Sequence, residues 1–123
     1  MARRATRRAA EPPASLARAL RAAEAAEAKR AENVVILDLR AQTLVTDYFV
    51  ICTGGSRVQL RAIRDAVAEA LVDAPRRGLP EGDEAAGWVL LDYGDVVVHV
   101  FAPEARGFYR LERLWADAPV VAR

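Results

Sequence analysis

The sequence predicts an α/β fold: a single-domain sandwich in which a mixed β-sheet of four to five strands is flanked by helices. Three observations carry that expectation. The chain has 123 residues and is 53% hydrophobic, enough for one domain with one core. Short β-branched and aromatic runs are separated by segments in which apolar residues recur at helical spacing. Their order is helix, strand, strand, helix, strand pair, helix, with no internal repeat.

Residues 1–13 have no apolar period and end in Pro12-Pro13, so they are expected to form a disordered Arg-rich tail. The folded domain is expected over 14–119, with an N-terminal helix over 15–31 and a core over 33–119. Ser15 is placed to cap that helix, and Leu16, Ala19, Leu20, Ala23, Ala26 and Arg30 mark one face. Alanine makes it a strong helix former with a thin apolar stripe, which predicts loose packing at the domain edge. Val34-Val35-Ile36-Leu37-Asp38-Leu39 and Tyr48-Phe49-Val50-Ile51-Cys52-Thr53 read as buried strands. After Gly54-Gly55-Ser56, the residues Val58, Ile63, Val67, Ala70 and Leu71 turn to a helical period that Pro75 and Gly78 stop. A polar loop over 76–86 has room for a short edge strand near Arg77-Gly78-Leu79. The clearest local signal follows: Trp88–Tyr93 and Val96–Phe101 are β runs around Gly94-Asp95, a hairpin with glycine at the φ > 0 position. Phe108, Tyr109, Leu111, Leu114 and Trp115 predict a short final helix, weakened by about 1 kcal/mol at Gly107.

The formal net charge of +1 hides a division along the chain. Residues 1–30 hold eight basic and three acidic residues, a net +5, and residues 31–123 hold ten and fourteen, a net −4. An acidic body argues against a broad phosphate-gripping face and favours a basic protein partner, leaving any weak ribonucleic-acid contact to the tail. Seventeen Arg against one Lys, with abundant Ala, reflects GC-rich coding more than function. One cysteine excludes a disulfide framework and fits a reducing compartment, and no run of 18 apolar residues predicts a membrane span. The start lacks the apolar core of a secretory signal. It shares its Arg-rich, acid-poor character with organellar transit peptides but is too short to weigh much, so a bacterial cytoplasmic location is expected.

Chemistry finds few candidates. One His and one Cys nearly exclude zinc, and no cofactor is expected. His99, mid-strand among valines, reads first as a packed or hydrogen-bonded sheet residue, and Cys52 as a small core residue. The loop Gly54, Gly55, Ser56 between a strand and a helix is where polymerase-β-like nucleotidyltransferases bind phosphates. Those enzymes also need a carboxylate pair on the following strand, and none is found, so the loop reads as vestigial and the chain as a non-enzyme. A nucleotidyltransferase acting through Ser56 and a nearby carboxylate stays as the competing class. Asp65 and Glu69 are expected to be solvated and paired with Arg61 or Arg64, and Asp92 and Asp95 to serve the hairpin turn. Alternation puts Trp88, Leu90 and Asp92 on one sheet face and Val89, Leu91 and Tyr93 on the other. Either the face led by Trp88 or that led by Tyr93 looks outward for a partner, or helices cover both.

The run Gly87-Trp88-Val89-Leu90-Leu91-Asp92-Tyr93-Gly94-Asp95-Val96-Val97-Val98-His99-Val100-Phe101 resembles the motif of the ribosomal silencing factors, also called the Iojap family. Leu37-Asp38-Leu39, Asp47-Tyr48-Phe49-Val50-Ile51-Cys52-Thr53-Gly54 and Phe108-Tyr109-Arg110-Leu111-Glu112-Arg113-Leu114-Trp115 agree with it in order and spacing, over about residues 31–119. Ala116 departs from the usual glycine before Asp117-Ala118-Pro119. The resemblance implies a nucleotidyltransferase-like fold without the catalytic carboxylates. It further implies a translational repressor that binds the large ribosomal subunit through its fourteenth protein and blocks joining of the small subunit, above all on nutrient shortage or in stationary phase. It also implies that members can form homodimers and that organellar relatives act in ribosome biogenesis, which leaves a biogenesis or scaffold role as a further alternative. On that footing the partner-binding candidates are Trp88, Leu90 and Tyr93 as anchors and Glu84, Asp92 and Asp95 as charge partners, with His99 and Phe101 extending the surface.

Overall fold

The computed structural model describes residues 13–76, 78, 81–83 and 85–123, the side chains of residues 81, 83, 108 and 109 excepted. The Arg-rich stretch 1–12, Arg77, Leu79 and Glu84 lie outside the described residues. In chain order the elements are α1 (Ala14–Ala28), β1 (Glu32–Asp38), β2 (Tyr48–Thr53), α2 (Arg57–Ala70), β3 (Glu81–Asp83), β4 (Trp88–Asp92), β5 (Val96–Phe101), α3 (Pro103–Tyr109) and α4 (Leu111–Leu114). The strands form one mixed sheet in the order β1-β2-β5-β4-β3, with β2 and β5 parallel and the other neighbours antiparallel. This is the expected α/β architecture.

Alternation along the strands divides the sheet into two faces. Ile36, Tyr48, Val50, Cys52, Val89, Leu91, Val98 and Val100 turn toward α1 and α2, and meet Leu60, Ile63, Val67 and Leu71 of α2 in the main core. The opposite face carries Leu37, Phe49, Ile51, Trp88 and Phe101, packed by Ala105, Leu111, Trp115 and Ala118 from the C-terminal segment.

The thin alanine stripe of α1 behaves differently from its expectation. Ala19, Ala22, Ala23 and Ala26 are wholly buried, and α1 packs on β1, β2 and β5 and against α2. A methyl side chain lets the helix approach closely, so close-packed backbone and Cβ atoms replace long side chains at the interface. Arg30 is no part of this face; it lies past the helix end at φ +63°. Nor does Ser15 cap the helix. Pro13 holds that position in extended geometry and its carbonyl accepts from Leu16 N at 3.0 Å, leaving the Ser15 hydroxyl inside the first turn to donate to Asp47 Oδ2 at 2.8 Å.

The hairpin forms as the sequence predicts. Gly94 takes φ +83°, and its N–H donates to Asp92 Oδ1 at 2.8 Å in an Asx turn. The edge strand falls later than predicted, at β3. There Gly82 has φ +71°, and a Cβ on it would lie 2.0 Å from the Trp88 carbonyl oxygen, so the backbones meet as only glycine allows. The final helix is two helices, broken at Arg110, which adopts the left-handed conformation at φ +51°. Packing also continues beyond residue 119: Asp38 N donates to Pro119 O, Val121 N donates to Ile36 O, and Val120 bridges to Leu37. The free edge of β1 is thereby occupied, and Arg123 fastens the end to Glu27 with bonds of 2.7 and 2.8 Å.

Candidate partner-binding face

The C-terminal segment covers its sheet face only in part. On the hairpin, Trp88 pairs across the strands with Phe101, Leu90 with His99 and Asp92 with Val97. Trp88, Leu90, Asp92, Val97 and Phe49 remain half-buried, while the other hairpin positions beneath α1 and α2 are closed off. The result is a small apolar platform with a carboxylate at one end. Of the faces left open by alternation, the one led by Trp88 looks outward.

An aromatic row stiffens this platform. The Trp88 ring stacks on Phe101 at 5.4 Å between centroids and 22°, and lies edge to edge with His99, nearly coplanar, at 6.0 Å and 22°. Phe49 packs its edge against His99 at 4.6 Å, and Trp115 meets Phe49 at 6.0 Å. Trp88 Nε1–H donates to His99 Nδ1 at 3.2 Å. His99 is 4% exposed, so its first reading as a packed, hydrogen-bonded sheet residue matches the structure. It lies under the surface and does not extend it. Burial pushes its imidazole down to about 4, an effect that Asp92 partly opposes.

Tyr93 is corrected more sharply. It shares the helix-covered face with Val89 and Leu91 and is 7% exposed in the main core, so its ring is out of reach of a partner on the Trp88 side. Burial raises its phenol, with Arg76 opposing. Asp92 is half-buried, with its Oδ1 accepting from Gly94 N in the turn. Asp95 pairs with Arg18 of α1 while its carbonyl accepts from Asp47 N and Tyr48 N, so it ties the hairpin to α1 and to the start of β2. Its Oδ1 is buried without a hydrogen-bond partner among the described residues.

The loop of Gly54, Gly55 and Ser56 is occupied by structural duties. Gly54 N donates to Phe101 O, and Gly54 packs on Leu60 and Ile63. Ser56 caps α2 by accepting from Gln59 N, and the Gln59 side chain accepts from Gly55 N and donates to the carbonyls of Lys29 and Arg30. Ser56-Arg57-Val58-Gln59 is a serine-to-glutamine capping spacing, a signal present in the sequence that the phosphate-loop reading passed over. Asp65 pairs with Arg64 at 2.9 Å. No group of three His, Cys, Asp or Glu among the described residues is placed to hold a metal. Cys52 is buried, and desolvation pushes its thiol up to about 12, the behaviour of a core residue.

Comparison with known proteins decides what this architecture belongs to. The model of the RsfS family, described as "Ribosomal silencing factor during starvation", matches residues 12–123. The chain belongs to the RsfS family. It is 46% identical to "Ribosomal silencing factor RsfS" of Bacillus subtilis (strain 168), over 80% of this chain and 85% of that protein. It is 44% identical to the protein of the same name in Halalkalibacterium halodurans, over 81% of this chain and 86% of the other. A solved structure from Chromobacterium violaceum superposes with a TM-score of 0.73 at 36% identity, covering 77% of this chain and 80% of that one. Family membership extends over the C-terminal residues that close the β1 edge, beyond the stretch whose motifs carry the sequence resemblance.

Proposed function

We propose that this RsfS-family chain represses translation by docking its Trp88 face on the fourteenth protein of the large ribosomal subunit and thereby blocking the small subunit. One observation carries the reading: the hairpin holding the family motif is also where the sheet is left half-open, with Trp88, Leu90 and Val97 forming an apolar platform beside the Asp92 carboxylate. Aromatic and aliphatic anchors of this kind supply most of the affinity of an interface, and rim carboxylates steer a basic partner. The net −4 of residues 31–123 acts in the same direction. Asp95, ion-paired with Arg18 of α1 and with its other oxygen buried, is set aside as a charge partner, and Glu84 stays in the proposal beside Asp92.

The mechanism is steric and needs no cofactor. A globule of this length has a radius of gyration of about 14 Å, and bound where the small subunit docks it would occupy that subunit's place. Repression would matter most under nutrient limitation or in stationary phase, in the bacterial cytoplasm. Homodimer formation, and a salt-sensitive contact of the Arg-rich residues 1–13 with ribosomal RNA, belong to the same proposal.

Co-sedimentation with isolated large subunits tests the docking. The wild-type chain is expected to travel with them. Leu90→Asp, which puts a charge in the middle of the apolar platform, is expected to stay at the top of the gradient. Equal co-sedimentation of both proteins would remove the Trp88 face from the account.

A further inference from the structure

We infer that His99 is the positioning residue of the docking face: it holds the Trp88 indole in one orientation and influences binding only through that ring. The inference rests on the docking reading above. At 4% exposure, His99 does not itself meet a partner. Stacking on Phe101 sets the plane of the indole, but a stack is indifferent to a ring turned over within that plane. The bond from Trp88 Nε1–H to His99 Nδ1 is not. It chooses which edge of the indole points inward and which outline the platform presents.

The cost of this arrangement supports a functional origin. Accepting at Nδ1 places the neutral ring's proton on Nε2, and that buried atom has no hydrogen-bond partner among the described residues. An orphaned buried donor is destabilising, and phenylalanine at this position would keep the ring contacts without it. What the imidazole alone supplies is the acceptor for Trp88. The arrangement also needs a neutral ring, because a proton on Nδ1 would face the indole N–H. Around the imidazole, Phe49 and Ile51 of β2, Trp88 and Leu90 of β4, Phe101 of β5 and, beyond Phe49, Trp115 are all uncharged. Asp92 is the carboxylate whose field reaches it.

The test combines His99→Phe, His99→Asn, Trp88→Phe and the double variant Trp88→Phe/His99→Phe. Two quantities are read: the Trp88 indole N–H resonance, assigned by its loss in Trp88→Phe, and the dissociation constant for isolated large subunits. His99→Phe is expected to move the resonance and weaken binding about fivefold, the worth of one neutral hydrogen bond, without lowering the melting temperature. His99→Asn, whose amide oxygen stands near the position of Nδ1, should recover the resonance and most of the affinity. The double variant should bind no worse than Trp88→Phe alone. Wild-type affinity in His99→Phe, or additive losses in the double variant, would overturn the inference while leaving the docking face intact. Wild-type affinity in Trp88→Phe would overturn the docking reading and this inference with it.

Discussion

Acidification from pH 7.5 to pH 5 should destabilise this fold through one side chain. His99 is the single histidine in the chain, and its imidazole, ordinarily near 6.5, is pushed down to about 4, chiefly by burial and in spite of Asp92. Between those two values the unfolded chain binds a proton that the native state refuses. Unfolding free energy therefore rises with pH across the window; the His99 contribution is complete above 6.5 and is lost as pH falls toward 4. The linkage amounts to about 2 kcal/mol lost at pH 5 and about 3 kcal/mol at pH 4. Urea unfolding followed by circular dichroism at pH 7.5, 6.5, 5.5 and 5.0, on wild type and His99→Phe side by side, reads it directly. Carboxylates such as Glu27, held below its ordinary value by Arg123, titrate in both proteins and cancel in the difference. The stability difference should shift by about 2 kcal/mol in favour of the variant as pH falls to 5. A flat difference, or one moving the other way, would mean that the imidazole is solvated or paired with an acid, and the packing argument would fail.

Other substitutions probe the remaining physical claims. Ala22→Leu should cost about 1–3 kcal/mol by scanning calorimetry, because α1 is seated by methyl groups with no room for a longer side chain; a neutral result would refute the close-approach account. Gly82→Ala should cost at least about 1 kcal/mol in urea, since its Cβ would collide with the Trp88 carbonyl oxygen and its φ is positive. Asp92→Asn keeps the oxygen that accepts from Gly94 N and loses the charge. Stability should hold, while the association rate with large subunits falls severalfold at low salt and the deficit closes as salt rises. A deficit independent of salt would show that Asp92 does not act by steering.

The hairpin was legible because each of its features is local: two β-branched runs, a glycine at the turn and an Asx acceptor beside it. Which of its faces looks outward was not. Alternation groups Trp88 with Leu90 and Tyr93 with Leu91, yet both groups are apolar, and only the seating of α1 and α2 decides that Tyr93 goes inside. The same limit applied to α1, where alanine reads as weak hydrophobicity although small size is what a close interface requires. Arg110 carries no sign of a left-handed break between α3 and α4, and the pairing of Val120 with Leu37 joins residues too distant for any local pattern. Ser56 carries two local signals, glycine neighbours that suit a phosphate loop and Gln59 three residues on that suits a capped helix, and only the second is realised. His99 was legible as a packed sheet residue, but not as one lying beneath the surface it was expected to extend, nor as the group that holds Trp88.

Subunit joining tests the central claim most directly. Purified chain is incubated with large ribosomal subunits, small subunits are added, and the mixture is resolved by sedimentation. The chain is expected to travel with the large subunit and the whole-ribosome peak to shrink, with Leu90→Asp leaving that peak intact. A full whole-ribosome peak with the wild-type chain bound to the large subunit would contradict steric exclusion; a full peak with no bound chain would contradict the docking itself.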